Sequence, residues 1–251
     1  MNIAACTVWY NEEDFAPFFL RHYLYVDKIF VLVDSATDDF TREILGQYHN
    51  VEQREIVFPE EGVDEDQKIS EIMNVYEECY DYDWFYNVDA DELIFPPDGL
   101  HPYSFLRSCN ESVIRADLIQ VYRHESEKDL DYSLDRAFEQ RRHGTRTLMI
   151  NGADQGHLYH KPIIVRTYGV NPVWCPGNHT LQHVGKVCEK SFLGAHWAMA
   201  DEDIAIKRRL SRKARQSKNN LAKGYNIHQK DITEESIREE CRKNSNLPRV
   251  F

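Results

Sequence analysis

Through the first ninety or so residues, short apolar runs alternate with stretches whose apolar residues recur at helical spacing, and this rhythm constrains the fold class most. The runs over 2–8, 28–33 and 84–88 read as strands, and 51–58 as the third strand in chain order. The second is apolar at nearly every position, as expected of a strand covered by helices on both faces. Between the runs, Phe15, Phe18, Phe19 and Tyr23 share one helical face, with Pro17 tolerated in the first turn. Phe40, Ile44, Leu45 and Tyr48 form a second face, capped by Asp38 or Asp39. Ile69, Ile72, Met73 and Tyr76 form a third, over 64–80. Strand and helix in such succession make βαβ units, a parallel sheet and right-handed crossovers.

The aromatic run Trp84-Phe85-Tyr86-Asn87-Val88 empties directly into Asp89, Asp91 and Glu92. Three clustered acids repel one another, and a hard cation that accepts oxygen ligands relieves the repulsion. In an open parallel sheet, ligands bind just beyond the carboxyl ends of the strands, where this turn lies. Alone, Asp-Ala-Asp-Glu reads as a solvated turn; the buried strand before it favours a site for a metal and a phosphate. Asp34 closes the second run in the same way. Neither G-x-G-x-x-G nor G-x-x-x-x-G-K-S/T is present, so a bound diphosphate is held by metal and side chains.

Beyond Pro96-Pro97-Asp98-Gly99 the alternation stops. Residues 103–108 read as a short helix and 112–122 as a strand that includes Arg115 and Asp117. The polar stretch 123–154 reads as an acceptor-side loop. A strand over 161–168 and a hairpin over 173–187 around Pro176-Gly177 follow. Asp201-Glu202-Asp203 opens a long helix that Gly224 ends. A last helix begins at Thr233-Glu234-Glu235, after which the chain trails off. The organisation is a nucleotide-binding half over 1–98, an acceptor-side half of the same domain over 99–200, and a helical extension over 201–251.

A chain of 251 residues, 42% hydrophobic and 12% aromatic, has enough apolar surface for one large core. Its net charge of −12 argues against nucleic acid as a partner. Six cysteines are scattered without zinc-finger spacing, and the N-terminus is not signal-like. The expectation is reduced thiols in the cytoplasm. No run is long enough to span a bilayer, which leaves at most peripheral contact with the inner face of a membrane. His179 and His183 have the i, i+4 spacing of a zinc helix. Pro176, Gly177 and Gly185 bracket them, however, and H-E-x-x-H is lacking, which excludes a zincin. His196, beside Trp197, reads on its own as a packed histidine. Lys207, Arg208, Arg209, Arg212, Lys213, Arg215 and Lys218 form the one basic block. Most of it is a solvated face; a subset, Lys207 first because it is nearest the His196 segment, is the candidate to neutralise a diphosphate.

Asn11-Glu12 after the first strand, Asp34 after the second, the turn at Asp89 and Asp91 and the late His196-Trp197 occur in a familiar order. The chain resembles the inverting glycosyltransferases of the GT-A fold, in the family 2-like group. It is most similar to the branch with Asn-Glu-x-x-(aromatic) near its start, a (Asp/Glu)-Trp-(aromatic) strand before Asp-x-Asp-Glu, and a late His-(Tyr/Trp) before a lysine-bearing helix. The match covers about 2–95 closely and 160–210 loosely. It implies a Rossmann-like, mixed and mostly parallel sheet flanked by helices, with C-terminal helices. The resemblance assigns the nucleoside to the segment from Thr7 through Asn11 to Glu12 and to Asp34. Asp89 faces ribose or metal-bound water; Asp91 and His196 ligate manganese or magnesium; Lys68 approaches base or phosphate.

The implied activity is transfer of a sugar from a nucleotide-sugar, a UDP-sugar by analogy, to a glycan or other hydroxyl acceptor. A divalent ion stabilises the departing diphosphate, and a general base takes the acceptor's proton. Asp117, an acid within an apolar strand, and His179 are the candidates for that base. The acid pair that family 2 carries after its Asp-x-Asp turn has no counterpart here, which leaves base and stereochemistry open. Two rivals stand. A nucleotidyltransferase making sugar nucleotides is expected to show a glycine-rich basic loop after the first strand, which Trp9 to Glu13 lacks. A non-catalytic carbohydrate- or polyanion-binding protein on the same fold predicts no divalent-dependent nucleotide binding.

Overall fold

The computed structural model describes residues 1–58, 62–134, 137–150, 153–225 and 229–251, the side chains of 149 and 150 aside. The alternation predicted for the first part is found: β1 (Ile3–Trp9), α1 (Ala16–His22), β2 (Lys28–Asp34), α2 (Thr41–Leu45), β3 (Val51–Ile56), α3 (Glu65–Glu78) and β4 (Trp84–Asn87). Then come β5 (Glu92–Phe95), α4 (Pro102–Ser108), β6 (Val113–Tyr122), α5 (Ala137–Gln140) and β7 (His143–Thr145). A small ribbon joins β8 (Met149–Ile150) to β9 (Ala153–Asp154), and β10 (His160–Arg166) follows. A second ribbon joins β11 (Val173–Trp174) to β12 (Leu181–Gln182), as the predicted hairpin required. The chain continues through β13 (Phe192–Met199), α6 (Glu202–Ala214), α7 (Lys218–Lys223) and α8 (Glu234–Lys243).

One sheet runs in the order β3-β2-β1-β4-β10-β6-β13-β5, with β7 on β6 off that path. The first four strands are mutually parallel. β10 is antiparallel to both β4 and β6, β13 is parallel to β6, and β5 is antiparallel to β13. The fold is therefore the expected one: a mixed, mostly parallel sheet with flanking helices and further helices at its C-terminal end. β10, β6 and β13 lie between β4 and β5, so the two sequence halves interleave in one sheet.

Both faces of the sheet are buried, as the apolar strands demand. Along β1, Ile3, Ala5 and Trp9 point to one core with Trp84, Tyr86 and the α1 residues Phe15, Phe18 and Phe19. Ala4 and Cys6 point to the other, with Phe85 and the α3 residues Ile72, Val75 and Tyr76. Tyr122 and Met199, at the ends of β6 and β13, join Ala205 and Ile237 in a third cluster that docks α6 and α8. No helix among the described residues is long and apolar enough to cross a membrane.

Four expectations are corrected. Phe40 is 69% exposed rather than inward, because α2 starts only at Thr41, whose N–H donates to Asp39 Oδ1 at 2.9 Å. The helix opened by Asp201 breaks at 215–217, where Val63 N–H donates to the Arg215 carbonyl (2.9 Å) and Ser217 caps α7. Gly62 permits that approach, since a Cβ there would come within 2.6 Å of the Arg215 oxygen. The stretch 123–154 carries α5, β7 and a ribbon instead of a plain loop. The C-terminus does not trail off. Val250 N–H bonds the Arg142 carbonyl at 2.7 Å, and Phe251 packs its ring on Phe95 and Phe138.

Candidate active site

The carboxyl ends of β1, β2 and β4 open into a cavity of about 1100 Å³, large enough for a nucleotide-sized ligand. Val8 to Glu12, Asp34, Lys68, Asp89, Lys161, His179 and His196 all line it, together with α6 residues and the turn after α6. Residues nearly 200 positions apart thus meet at one sheet edge.

Asp89 and Asp91, two residues apart after β4, have different surroundings. Asp89 accepts from Lys68 Nζ at 3.2 Å and Lys161 Nζ at 3.3 Å. Burial raises its pKa, but the two ammonium groups outweigh it and hold the carboxyl well below the usual range. Glu92, fully buried, pairs closely with Lys161 and takes the Asp89 N–H at 3.1 Å. Burial raises the Glu92 pKa against the pull of Lys161. Lys68 and Lys161 are thereby fixed as cations at the cavity wall.

Asp91 is 1% exposed. Its Oδ2 accepts from Arg208 Nη1 at 2.6 Å, and Arg212 lies 3.7 Å away. The other Arg208 nitrogen donates to Glu12 Oε1 at 2.8 Å. One buried guanidinium thus joins β1's end, β4's end and α6, with its carbon 4.6 Å from the Phe15 ring centroid. Burial raises the Asp91 pKa, but Arg208, His196 and Arg212 together bring it well below the carboxylate range. Asp91 Oδ1 and Glu12 Oε2 are buried with no hydrogen-bond partner among the described residues, a costly state for carboxylate oxygens.

His196 reaches Asp91 with Nε2 at 3.6 Å from Oδ2. A network fixes its tautomer. Gln120 donates through Nε2 to the His196 and Val121 carbonyls, so its Oε1 is an acceptor. That oxygen takes Tyr159 O–H at 3.1 Å and His196 Nδ1–H at 2.6 Å. Nε2 therefore carries the lone pair. Burial lowers the imidazole pKa to about 4, so the ring is neutral at pH 7. The nitrogen lone pair faces the oxygen that Arg208 holds, while Asp91 Oδ1 has no hydrogen-bond partner among the described residues; these two atoms could hold a divalent ion, and the amide behind the ring is an outer-shell support of the kind metal-bound histidines use. Asp89 does not join them: among the described residues, Asp89, Asp91 and His196 form no group of ligand atoms within 4.8 Å of one another.

Asp34 is 2% exposed, accepts from Arg215 Nη2 at 2.6 Å and from the Ala36 N–H at 2.9 Å. The Arg215 guanidinium lies 3.5 Å from the Tyr10 ring centroid. Asn11, in left-handed backbone (φ +50°), brackets Asp38 from both sides of its amide. Thr7 stays outside the cavity, buried and accepting from Trp9 Nε1 at 2.8 Å. Lys207 lines the cavity while pairing with Glu13 at 2.8 Å and Asp14 at 3.1 Å. His179 lines it too; its Nδ1–H donates to the Leu158 carbonyl at 2.8 Å, leaving Nε2 free of the proton. Burial, with Lys161 nearby, lowers its pKa to about 4. Asp117 does not line the cavity and instead pairs with Arg146 at 2.9 Å.

Lys161 and Gln120 are missing from the sequence reading as site residues, and within the basic block it put Lys207 ahead of Arg208, Arg212 and Arg215. A charge or amide inside an apolar strand was the available signal for the first two. The three arginines stand at i, i+4 and i+7, which puts them on one side of a helix. Lys207 is one position, and so about 100° of helical turn, away from Arg208.

No protein-family model matches the chain, and no curated protein matches its sequence. Solved structures do. S. aureus TarS 1-349 in complex with UDP-GlcNAc matches at 13% identity and TM-score 0.43, over 98% of this chain and 72% of that one. A putative glucose-1-phosphate thymidylyltransferase from Bacillus anthracis matches at 11% and 0.31, over 51% and 61%. Core-mannan synthase A from Aspergillus fumigatus, in its Mn/GDP form, matches at 11% and 0.29, over 49% and 43%. Likeness at this level carries no activity from one protein to another.

Proposed function

We propose that the chain is a GT-A-like glycosyltransferase that moves a sugar from a nucleotide-sugar to a glycan or other hydroxyl acceptor. One observation carries the reading. A single cavity at the carboxyl ends of the parallel strands has a buried acid at the nucleoside side, Asp34, and an acid turn lined with lysines and arginines at the other. That distribution suits a nucleoside on one side and a diphosphate on the other. A uridine nucleotide is the donor by the sequence resemblance.

In this reading the main chain from Val8 to Glu12 and Asp34 hold the nucleoside. Lys68, Lys161 and Arg212 face the diphosphate and stabilise its charge as it departs. Asp91 and His196 hold manganese or magnesium, which supplies Lewis-acid stabilisation of the leaving group when bound. His179 takes the acceptor's proton at Nε2 as the acceptor oxygen bonds the sugar on the face opposite the departing diphosphate, which inverts the configuration. Its depressed basicity rises when a nucleotide's negative charge enters beside it.

The pairing of Asp89 with two lysines favours one variant of this reading, in which cations alone neutralise the diphosphate. Titration calorimetry with UDP, with and without manganese, decides between them. Binding strengthened by manganese supports the Asp91–His196 site; equal binding supports the cations alone. No UDP binding under either condition sinks the enzyme reading in favour of a non-catalytic binding protein. Hydrolysis of a panel of nucleotide-sugars then names the donor. Formation of a sugar nucleotide from a nucleoside triphosphate and a sugar phosphate would instead identify a nucleotidyltransferase.

A further inference from the structure

We propose that Cys109, Glu111 and Cys188 form a second cation site, for a thiophilic divalent ion of the zinc type, at the end of the sheet opposite the cavity. One ligand atom from each residue, two sulfurs and one carboxylate oxygen, lies within 4.8 Å of the other two. Cys109 Sγ and Glu111 Oε2 are 3.4 Å apart. A tetrahedral zinc with sulfur at about 2.3 Å and oxygen at about 2.0 Å separates those two ligands by about 3.5 Å. The fit is already close without an ion.

The backbone holds this arrangement. Cys109 ends α4, and its carbonyl and that of Glu111 accept from Arg166 Nη2 at 2.7 Å and Nε at 3.1 Å. The Cys188 segment is laced to the start of β6. Ser112 and Val113 N–H donate to the Lys186 carbonyl at 2.9 and 3.1 Å, and Cys188 N–H donates to the Val113 carbonyl at 2.7 Å. Gly185 makes the approach possible: at φ +114°, with a Cβ that would come within 2.9 Å of Ser112 Oγ, no other residue fits there easily. Residues 79 positions apart are thus held side by side before any ligand arrives.

Cys109 is buried, while Glu111 and Cys188 are part-exposed, so an ion has a way in and a fourth position faces solvent. Two thiolates select a soft or borderline ion over magnesium or manganese. Loading is balanced by proton release. The two thiols give up one proton each to solvent, and the ion is held by two thiolates, one carboxylate and water. The site is separate from the acidic corner: from Val113 to Gln120, the strand partner of His196, β6 spans about 23 Å at strand rise. Bound there, the ion pins α4 and β6 to the segment entering β13, which carries His196.

The test uses the full chain, reduced and metal-free. Titration with cobalt is expected to reach one equivalent with a sulfur-to-cobalt charge-transfer absorption, which zinc then displaces. Cys188→Ser is expected to weaken zinc binding about 100-fold or more and to diminish that absorption; Glu111→Gln, at a part-exposed position, weakens binding while keeping both sulfurs. Absence of the charge-transfer absorption in the unaltered chain overturns the proposal, as does an absorption that Cys188→Ser leaves unchanged. So does a thiol count already two short under reductant, which would mean that the sulfurs have joined in a disulfide. Oxygen and nitrogen ligands at Asp91 and His196 give no such absorption, so the two sites are read separately.

Discussion

Two candidate cation sites occupy opposite ends of the paired strands β6 and β13, and they are built on opposite principles. At the carboxyl end, Asp91 and His196 offer an oxygen and a nitrogen inside a web of buried charge. At the other end, Cys109, Glu111 and Cys188 offer sulfur and oxygen with one face open to solvent. The first site's acid is held by a neighbouring guanidinium, that of Arg208. At the second, Arg166 bonds the Cys109 and Glu111 carbonyls, and among the described residues no cation forms an ion pair with the Glu111 carboxylate. The contrast shows that a ligand set needs both the right atoms and competitors that leave them free. Asp89 has the right atoms, and Lys68 and Lys161 occupy them.

The largest expected effect lies at the charged end. Arg208→Met removes the only group that reaches both Glu12 and Asp91 at hydrogen-bond distance among the described residues. Stranding two buried carboxylates costs about 3–5 kcal/mol, measured as the shift in urea unfolding. A shift under about 1 kcal/mol would show that the web is solvated and would break the comparison. Asp91→Asn leaves Arg208 with Glu12 alone and so lowers stability as well as nucleotide binding, which makes it a blunt probe. His196→Gln is the sharper one. It is expected to erase the manganese enhancement of UDP affinity, about 100-fold, while cobalt absorption at the cysteines persists. If stability falls and the manganese effect stays, His196 is a packed histidine after all.

Much of this end of the molecule was legible in the chain. The apolar runs placed β1, β2 and β4, because a strand buried on both faces has no room for polar residues; β3, polar from Glu52 to Glu55 and partly exposed, followed from the alternation. The acids after β2 and β4 then fell at the sheet edge by topology alone. His196 entered through the order of motifs, not through its own surroundings. What escaped depends on long-range juxtaposition. Lys161 looked like part of a strand, yet its ammonium meets Asp89 and Glu92 some 70 positions back. β5 was not assigned from the sequence at all, and it crosses to the far edge beside β13. Cys109 and Cys188 looked scattered because sequence spacing reveals only metal sites whose ligands are local; these two meet through Gly185 and a set of backbone bonds.

Gln120→Met tests how far the oxygen–nitrogen site depends on support behind the ring. The change keeps volume but removes the oxygen that takes His196 Nδ1–H and the amide that bonds the His196 carbonyl. The ring's tautomer is then free, and manganese-dependent UDP affinity is expected to fall about 10-fold. Zinc affinity at the cysteines is expected to stay within about twofold, since Gln120 belongs to the cavity end of β6 and Val113 to the other.

Arg212→Ala is expected to have the smallest effect and draws the finest distinction. Its side chain is 46% exposed and stands 3.7 Å from Asp91, so as a surface ion pair it contributes little to folding. In the proposed role it contributes to a diphosphate instead. The expected outcome is an unchanged unfolding midpoint, a fewfold loss of UDP affinity, and no loss of affinity for uridine, which lacks the phosphates. Equal losses for UDP and uridine would move Arg212 to the nucleoside side. No loss for either would leave the diphosphate to Lys68 and Lys161, the two cations that Asp89 already holds at the wall.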